Sequence, residues 1–295
     1  MLATLSDIGN YRYPQDVRTG FISLVGRPNV GKSTLLNSIC GHKLSIVSDK
    51  PQTTRRQVRG ILTRPDAQLV FVDTPGLHKA VTALGERVNA TALASTREVD
   101  IVCLVVDATQ PTGSGDKWVS QQVSISAAVV VLNKIDNASP SQIMKQLKAL
   151  SQLGASEYFP VSAQTGEGVS VLVDYLAGRL PEGELMYPST MIGETPDALW
   201  VAELVREQLL QLFDDELPYS IATRVTEWEW PRIRCEIVVE RESQKGMVIG
   251  KNGNVLKTVG SKVRQQLPDG AFIELFVVVD KNWQHRADRV ERMGY

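Results

Sequence analysis

Cysteine is scarce in this 295-residue chain: Cys40, Cys103 and Cys235 are the only three. An odd number at wide separation argues against a disulfide framework and for buried reduced thiols in a reducing compartment. Histidine is equally scarce, and His42, His78 and His285 make no metal-ligand spacing with the cysteines, so no zinc site is expected. No apolar run approaches the roughly 18 residues that a membrane span needs. The first residues, MLATLSDIGNYRYPQD, lack the apolar stretch behind a basic start that marks a secretory signal. A cytoplasmic protein is expected. The net charge is only −1, but it is unevenly shared. Residues 230–295 hold 12 Lys and Arg against 8 Asp and Glu, a net of +4, which leaves 20 against 25 in residues 1–229. A modestly basic C-terminal part fits an anionic partner and equally an ordinary solvated surface.

What is present is alternation. FISLVG (21–26), QLVFVD (68–73), DIVCLVVDA (100–108), AAVVVLN (127–133) and YFPVS (158–162) are near-continuous apolar runs, as expected of strands buried on both faces. Segments of helical length such as KSTLLNSIC and SQIMKQLKALSQLG lie between them. The pattern predicts a doubly wound, mostly parallel α/β domain, with one antiparallel hairpin across Arg64-Pro65-Asp66. Residues 181–197 are rich in Pro, Gly, Ser and Thr and read as an interdomain linker. Beyond them a helix over 199–213, two strand-like runs, a glycine-punctuated turn, a helix and a last strand predict a second domain of α+β type. The expected division is an extension at 1–18, a first domain at 19–180, the linker, and a second domain at 198–295.

GRPNVGKST (26–34) follows the first strand and opens a helix. Gly26 and Gly31 let the backbone of Arg27, Pro28, Asn29 and Val30 wrap with its N–H groups toward phosphate, and the helix that starts near Lys32, Ser33 and Thr34 adds its dipole. Lys32 is expected at the β- and γ-phosphates and the Ser33 hydroxyl on Mg²⁺. VDTPG (72–76) ends the next strand: Asp73 is expected to hold Mg²⁺, Thr74 and Pro75 to line the GTP site with it, and the Gly76 N–H to meet the γ-phosphate. The following residue is Leu77, where a polar group that orients the attacking water is often found. NKID places Asn133, Lys134 and Asp136 at a strand end. A carboxylate accepts from both N1–H and the 2-amino group of guanine, which adenine does not offer, so GTP is expected over ATP. Asn133 is expected at the base edge and the Lys134 stem along the ring. A backbone N–H near Ser162 or Ala163 is expected at the 6-oxo group.

GRPNVGKS, DTPG, NKID and VSA together resemble the translation-factor-type branch of small GTPases. The resemblance implies that KPQTTRR (50–56) is the mobile effector loop, with Thr53 or Thr54 as the Mg²⁺ and γ-phosphate ligand and the second preferred. It also implies that a GTPase with a hydrophobic residue after DxxG and an Asn at position 29 recruits K⁺. Lys32, Thr54 and Asn29 are therefore the candidate catalytic residues. No arginine finger is evident; nothing in the sequence fixes the aim of Arg27, Arg55 or Arg56.

In the second domain, Gly250-Lys251-Asn252-Gly253 before a helix reads as the GxxG loop of a type II KH module, which clamps about four nucleotides of single-stranded RNA. Val248 and Ile249 are candidates for a groove floor, and Lys257, Lys262 and Arg264 extend the basic face. Trp228, Trp230 and Trp283 are expected in the core or at a domain contact rather than stacked on bases. A GTPase domain followed by KH, with PQTTR, DTPGLH, ELPYS, GKNG and a terminal Gly294-Tyr295, resembles the Era-like family of bacterial ribosome-assembly GTPases. The resemblance implies GTP hydrolysis in a monomer, binding of the 3′ end of 16S ribosomal RNA, and help in 30S subunit assembly. A membrane-associated or cell-division GTPase, peripheral at the inner face of the membrane, is the alternative. A modification enzyme acting on RNA is disfavoured, because residues 198–295 show no catalytic Cys with a base.

Overall fold

A computed structural model describes residues 17–295; residues 1–16 of the expected extension lie outside the described residues. Val17 and Arg18 already belong to the first strand. The first domain runs β1 (Val17–Val25), α1 (Lys32–Cys40), β2 (Val58–Thr63), β3 (Ala67–Asp73), α2 (Ala83–Ala94), β4 (Ile101–Asp107), α3 (Ser114–Ser120), β5 (Val129–Asn133), α4 (Pro140–Leu150), β6 (Glu157–Pro160), α5 (Val169–Arg179) and β7 (Glu182–Gly183). The sheet order is β2-β3-β1-β4-β5-β6. Only β2 on β3 and the short β7 on β1 are antiparallel. The β2–β3 hairpin is where Arg64-Pro65-Asp66 predicts it.

The continuous apolar runs have a physical cause. One core joins α1 and α5 to one face of the sheet, and another joins α2, α3 and α4 to the other. Every residue of β5 is therefore buried, and each large apolar side chain so placed contributes about 1.5–3 kcal/mol. Parallel strands connected this way all point their C-terminal ends to one edge, where the motif residues collect. Leu77 is part of the second of these cores, 1 % exposed among Val25, Leu104 and Val106. Its hydrocarbon is a packing feature. A Gln there would bury an amide in the core before it could orient any water, so Leu77→Gln does not isolate catalysis.

The second domain runs α6 (Asp197–Leu212), α7 (Leu217–Ser220), β8 (Ala222–Glu229), β9 (Arg232–Val239), α8 (Glu242–Ile249), α9 (Asn254–Arg264), β10 (Phe272–Val279) and α10 (Ala287–Arg292). The sheet order is β10-β9-β8, with β9 and β10 parallel and β8 antiparallel to β9. The segment expected as linker is laid along the sheet. Gln68 Oε1 accepts from the backbone N–H groups of Met186 and Tyr187 at 2.8 and 3.0 Å. Ile61 N–H donates to Ile192 O at 2.9 Å, and Arg59 pairs with Glu194 at 2.9 Å.

The two domains meet along the effector loop. Arg55, buried, donates to the carbonyls of Ile221 at 2.6 Å and Tyr219 at 2.8 Å. It lies 6.0 Å from the Trp283 ring centroid and 5.9 Å from that of Tyr295. Arg206 of α6, fully buried, donates to Thr53 O and pairs with Glu203. Glu207 accepts from Val47 N–H at 3.1 Å and from Lys43 Nζ at 2.5 Å. Leu84 and Val88 of α2 pack with Trp283, Val290 and Met293.

Candidate nucleotide site and nucleic-acid interface

The first glycine-rich turn leaves β1 and closes on α1, and a cavity of about 470 Å³ opens beside it. Its walls include Arg27 through Thr34, with Thr54, Gly76 and Lys134. A second cavity of about 290 Å³ shares Gly31, Thr34 and Lys134 with the first and adds Asn133, Asp136, Ala163 and Gln164. The two correspond to a phosphate half and a base half, with the Lys134 stem at their junction.

In the phosphate half the three candidate metal ligands converge. Ser33 Oγ donates to Asp73 Oδ2 at 2.6 Å and lies 2.7 Å from Thr54 Oγ1. Asp73 Oδ1 is buried with no hydrogen-bond partner among the described residues. An orphaned carboxylate oxygen beside two hydroxyls is a set of hard donors, which fits Mg²⁺. Thr53 is turned away: its hydroxyl donates to Lys50 O at 2.6 Å and lies 2.8 Å from Ser48 Oγ. Lys32 Nζ donates to Gly26 O at 3.2 Å and Arg27 O at 2.9 Å. Burial pushes its ammonium down to about 8, against the pull of Asp73. Burial likewise raises Asp73, and Lys32, Ser33 and Ser45 oppose the rise. Gly76 passes so near the phosphate loop that a Cβ there would sit 2.6 Å from the Pro28 backbone. Asn29 has a left-handed backbone and donates from Nδ2 to Asp49 O at 2.5 Å.

The base half departs from expectation in detail. Asn133 clasps two loops: its Nδ2 donates to Val30 O and its Oδ1 accepts from Ala163 N–H, both at 2.9 Å. Asn133 so organises the pocket, and the second N–H of its amide, on a side chain that lines the base cavity, is the group left for the base edge. Ala163 N–H is thereby paired within the protein, and Ser162 N–H donates to Glu167 O, so the backbone groups expected at the 6-oxo group each hold a partner here. Ser162 acts through its hydroxyl, which donates to Asp136 Oδ1 at 2.6 Å and aims the carboxylate. Thr74 also turns inward, donating to Leu24 O at 2.7 Å, and with Pro75 it is buried away from the cavity.

Two features have no sequence motif. Asp107, at the end of β4, pairs with Lys134 Nζ at 2.7 Å. Burial alone would raise its carboxyl, but Lys134 and Thr109 hold it below the usual range. A strand-end Asp beside NKID was the available signal. The second feature is the aim of the arginines. Arg27 pairs with Asp116 at 2.7 Å, Arg55 enters the second domain, and Arg56 donates to Gly294 O at 3.1 Å. Arg55 and Arg56 thus point away from the cavity, while Arg27 lines it with its Nε held on Asp116.

In the second domain Gly250 and Gly253 both have positive φ, 73° and 74°, and Asn252 has φ 54°. Lys251, Asn252 and Lys257 are exposed. Val248 is 0 % exposed and packs with Val205 and Val259, so it is core and not groove floor. The reason is that α8 is a full helix, which turns successive residues about 100° apart; Met247, 59 % exposed, is the apolar side chain presented there. Ile249 is half-buried against the same core. Trp283 is buried and donates to Ser220 O at 3.0 Å, whereas Trp228 and Trp230 are 40 % and 52 % exposed on the β8–β9 hairpin.

A phosphate loop with a guanine-type base pocket, joined to a GxxG module, defines a two-domain GTPase with a KH domain. The sequence matches the family described as 50S ribosome-binding GTPase over residues 21–134 and the KH domain over residues 216–284. It is 41 % identical over 297 residues to GTPase Era of Mycobacterium sp. (strain KMS), covering 95 % of this chain and 99 % of that one. The fold is similar, with a TM-score of 0.91 and 35 % identity over 95 % of this chain and 99 % of the other, to Era in complex with MgGDPNP and nucleotides 1506–1542 of 16S ribosomal RNA. A single-residue variant of Aquifex aeolicus Era bound to GDP and AlF4− gives a TM-score of 0.90 at 34 % identity, over 95 % of this chain and 99 % of that one. The chain belongs to the Era family of GTPases.

Proposed function

We propose that this GTPase is an assembly switch for the small ribosomal subunit, acting in the cytoplasm as a monomer. It would bind the single-stranded 3′ end of 16S ribosomal RNA at Gly250–Gly253 and be released or retained according to its nucleotide. One observation carries the coupling: the loop that presents Thr54 to Ser33 and Asp73 is itself anchored to the KH domain by Arg55 and Arg206. Loss of the γ-phosphate frees that loop, and the same contacts pass the change to the RNA-type domain. The solved complex of a similar Era with MgGDPNP and 16S RNA supports the assignment of both ligands.

Ser33, Thr54 and Asp73 would hold Mg²⁺, which neutralises charge on the β- and γ-phosphates when bound. Asn29 Oδ1, left over when Nδ2 is fixed on Asp49 O, is the candidate K⁺ ligand; equal turnover in KCl and NaCl would remove that assignment. Function is tested by measuring affinity for a short pyrimidine-rich RNA and for anionic lipid vesicles, each in the GDPNP and GDP states. The expected result is nucleotide-dependent RNA affinity. Vesicle binding as tight as RNA binding, with no dependence on nucleotide, would favour the membrane alternative.

A further inference from the structure

Leu77 faces the core, so the acceptor that orients the attacking water lies elsewhere. The polar side chains near the γ-phosphate end are largely committed. The Thr53 hydroxyl is held by Lys50 O and Arg27 Nε by Asp116, and Asn29, whose Nδ2 is on Asp49 O, has its Oδ1 as the candidate K⁺ ligand. Gln52 is different. It lines the same cavity as Lys32, Ser33, Thr54 and Gly76, two residues before Thr54. Its backbone is left-handed, φ 60°, a conformation uncommon for a residue with a side chain and enriched where function holds it.

The hydrogen bonds around it fix which end of the amide faces the cavity. His78 Nδ1 lies 3.1 Å from Gly76 O, and a carbonyl can only accept, so Nδ1 carries the proton. His78 Nε2 is then an acceptor, and the Gln52 Nε2 group 3.0 Å away donates to it. Oε1 is the group left over, with no hydrogen-bond partner among the described residues. The backbone of His78 is held in turn from α2: Asn89 Nδ2 donates to His78 O at 2.6 Å, and His78 N–H donates to Asn89 Oδ1 at 3.3 Å. A chain Asn89–His78–Gln52 thus ties α2 to a free carbonyl oxygen in the effector loop.

We propose that Gln52 orients the attacking water, with His78 as its positioning residue. Gln52 Oε1 accepts a hydrogen bond from the water. The water oxygen bonds to the γ-phosphorus, and the bond to the β–γ bridging oxygen breaks with its electron pair leaving on GDP. The water's proton passes to the phosphate released. Gln52 keeps all of its own atoms and acts by placement.

The test compares single-turnover GTP hydrolysis and GDPNP affinity in the full chain, in Gln52→Ala, in His78→Phe and in the double variant. Gln52→Ala is expected to slow hydrolysis roughly tenfold or more while GDPNP affinity stays within about threefold. His78→Phe is expected to slow hydrolysis less, and to add nothing on top of Gln52→Ala. Slowing of less than about threefold in Gln52→Ala, or a fall in affinity that matches the fall in rate, would overturn the assignment. Slowing by His78→Phe that multiplies with that of Gln52→Ala would overturn the positioning role of His78.

Discussion

The GRPNVGKS loop and the GKNG loop are both glycine-punctuated turns that open a helix and carry a lysine, yet packing treats them in opposite ways. In the first, a Cβ on Gly31 would sit 2.3 Å from Asn133 Nδ2 and one on Gly26 2.4 Å from Val105 O. Lys32 is 5 % exposed. In the second, a Cβ on Gly250 would meet Val255 of the following helix at 2.5 Å, but one on Gly253 would meet nothing within 4 Å, and Lys251 is exposed. The first loop is a closed cradle, where a ligand's charge is taken out of water and each contact is strengthened. The second is an open backbone edge that a polymer can approach closely, each contact weakened by solvent. One local device therefore serves tight capture of a small anion in one domain and shallow clamping of a chain in the other.

The sharpest way to break this comparison is to remove both lysines. Lys32→Ala removes a buried ammonium expected to bond two phosphates, at about 1.5–3 kcal/mol each, so GTP affinity should fall about a thousandfold. Lys251→Ala deletes an exposed charge, at up to about 1 kcal/mol, so RNA affinity should fall only about threefold. Fluorescent-nucleotide and RNA titrations measure both. Comparable losses would mean that burial does not set the energies of these loops.

How much of this was legible depended on whether the partners lie close in sequence. GRPNVGKST, DTPG and NKID are contiguous, and each sits at the end of an apolar run. Ser33, Asp73 and Asp136 could thus be placed before any coordinates, as could the strands, whose two buried faces leave unbroken Val and Leu. Thr54 could not be separated from Thr53 by residue type, because the choice rests on which hydroxyl the Lys50 carbonyl captures. Val248 reads as groove floor from the sequence because nothing local reveals that α8 is a full helix, which turns this side chain into the core. Leu77 tells from the sequence that another group must orient the water, but the packing around Val25 and Leu104 that holds it shows only in the fold. The clasp between domains was invisible: Arg55 and Ile221 are 166 residues apart, and no local pattern links them.

The open loop can be tested by closing it. Gly253→Asp adds a side chain to a residue at φ 74° and a negative charge where phosphate should approach. RNA affinity should fall about thirtyfold by the sum of strain and repulsion, with GTP affinity unchanged because the first cavity is formed by other residues. An unchanged RNA affinity would place the groove elsewhere on the domain. A parallel loss of GTP affinity would show that the two loops are not energetically separate.

The closed loop has a further consequence, in pH. Burial holds Lys32 near 8 in the folded chain, below its ordinary 10.5. A depressed lysine penalises folding while it must be charged. The penalty is therefore full below about pH 8 and is relieved as pH rises toward the unfolded value, a span worth about 3 kcal/mol. A bound triphosphate reverses the preference, because its charge restores the proton. Binding above pH 8 then takes up a proton, and GTP affinity should fall about tenfold between pH 7 and pH 9. The two trends run in opposite directions on the same group. Thermal melts of the nucleotide-free protein should show this group's contribution rising with pH while GDPNP titrations weaken, and Lys32→Ala should flatten both. A nucleotide affinity that holds constant through pH 9 would mean that Lys32 stays charged without ligand, and that the cradle is better solvated than its burial indicates.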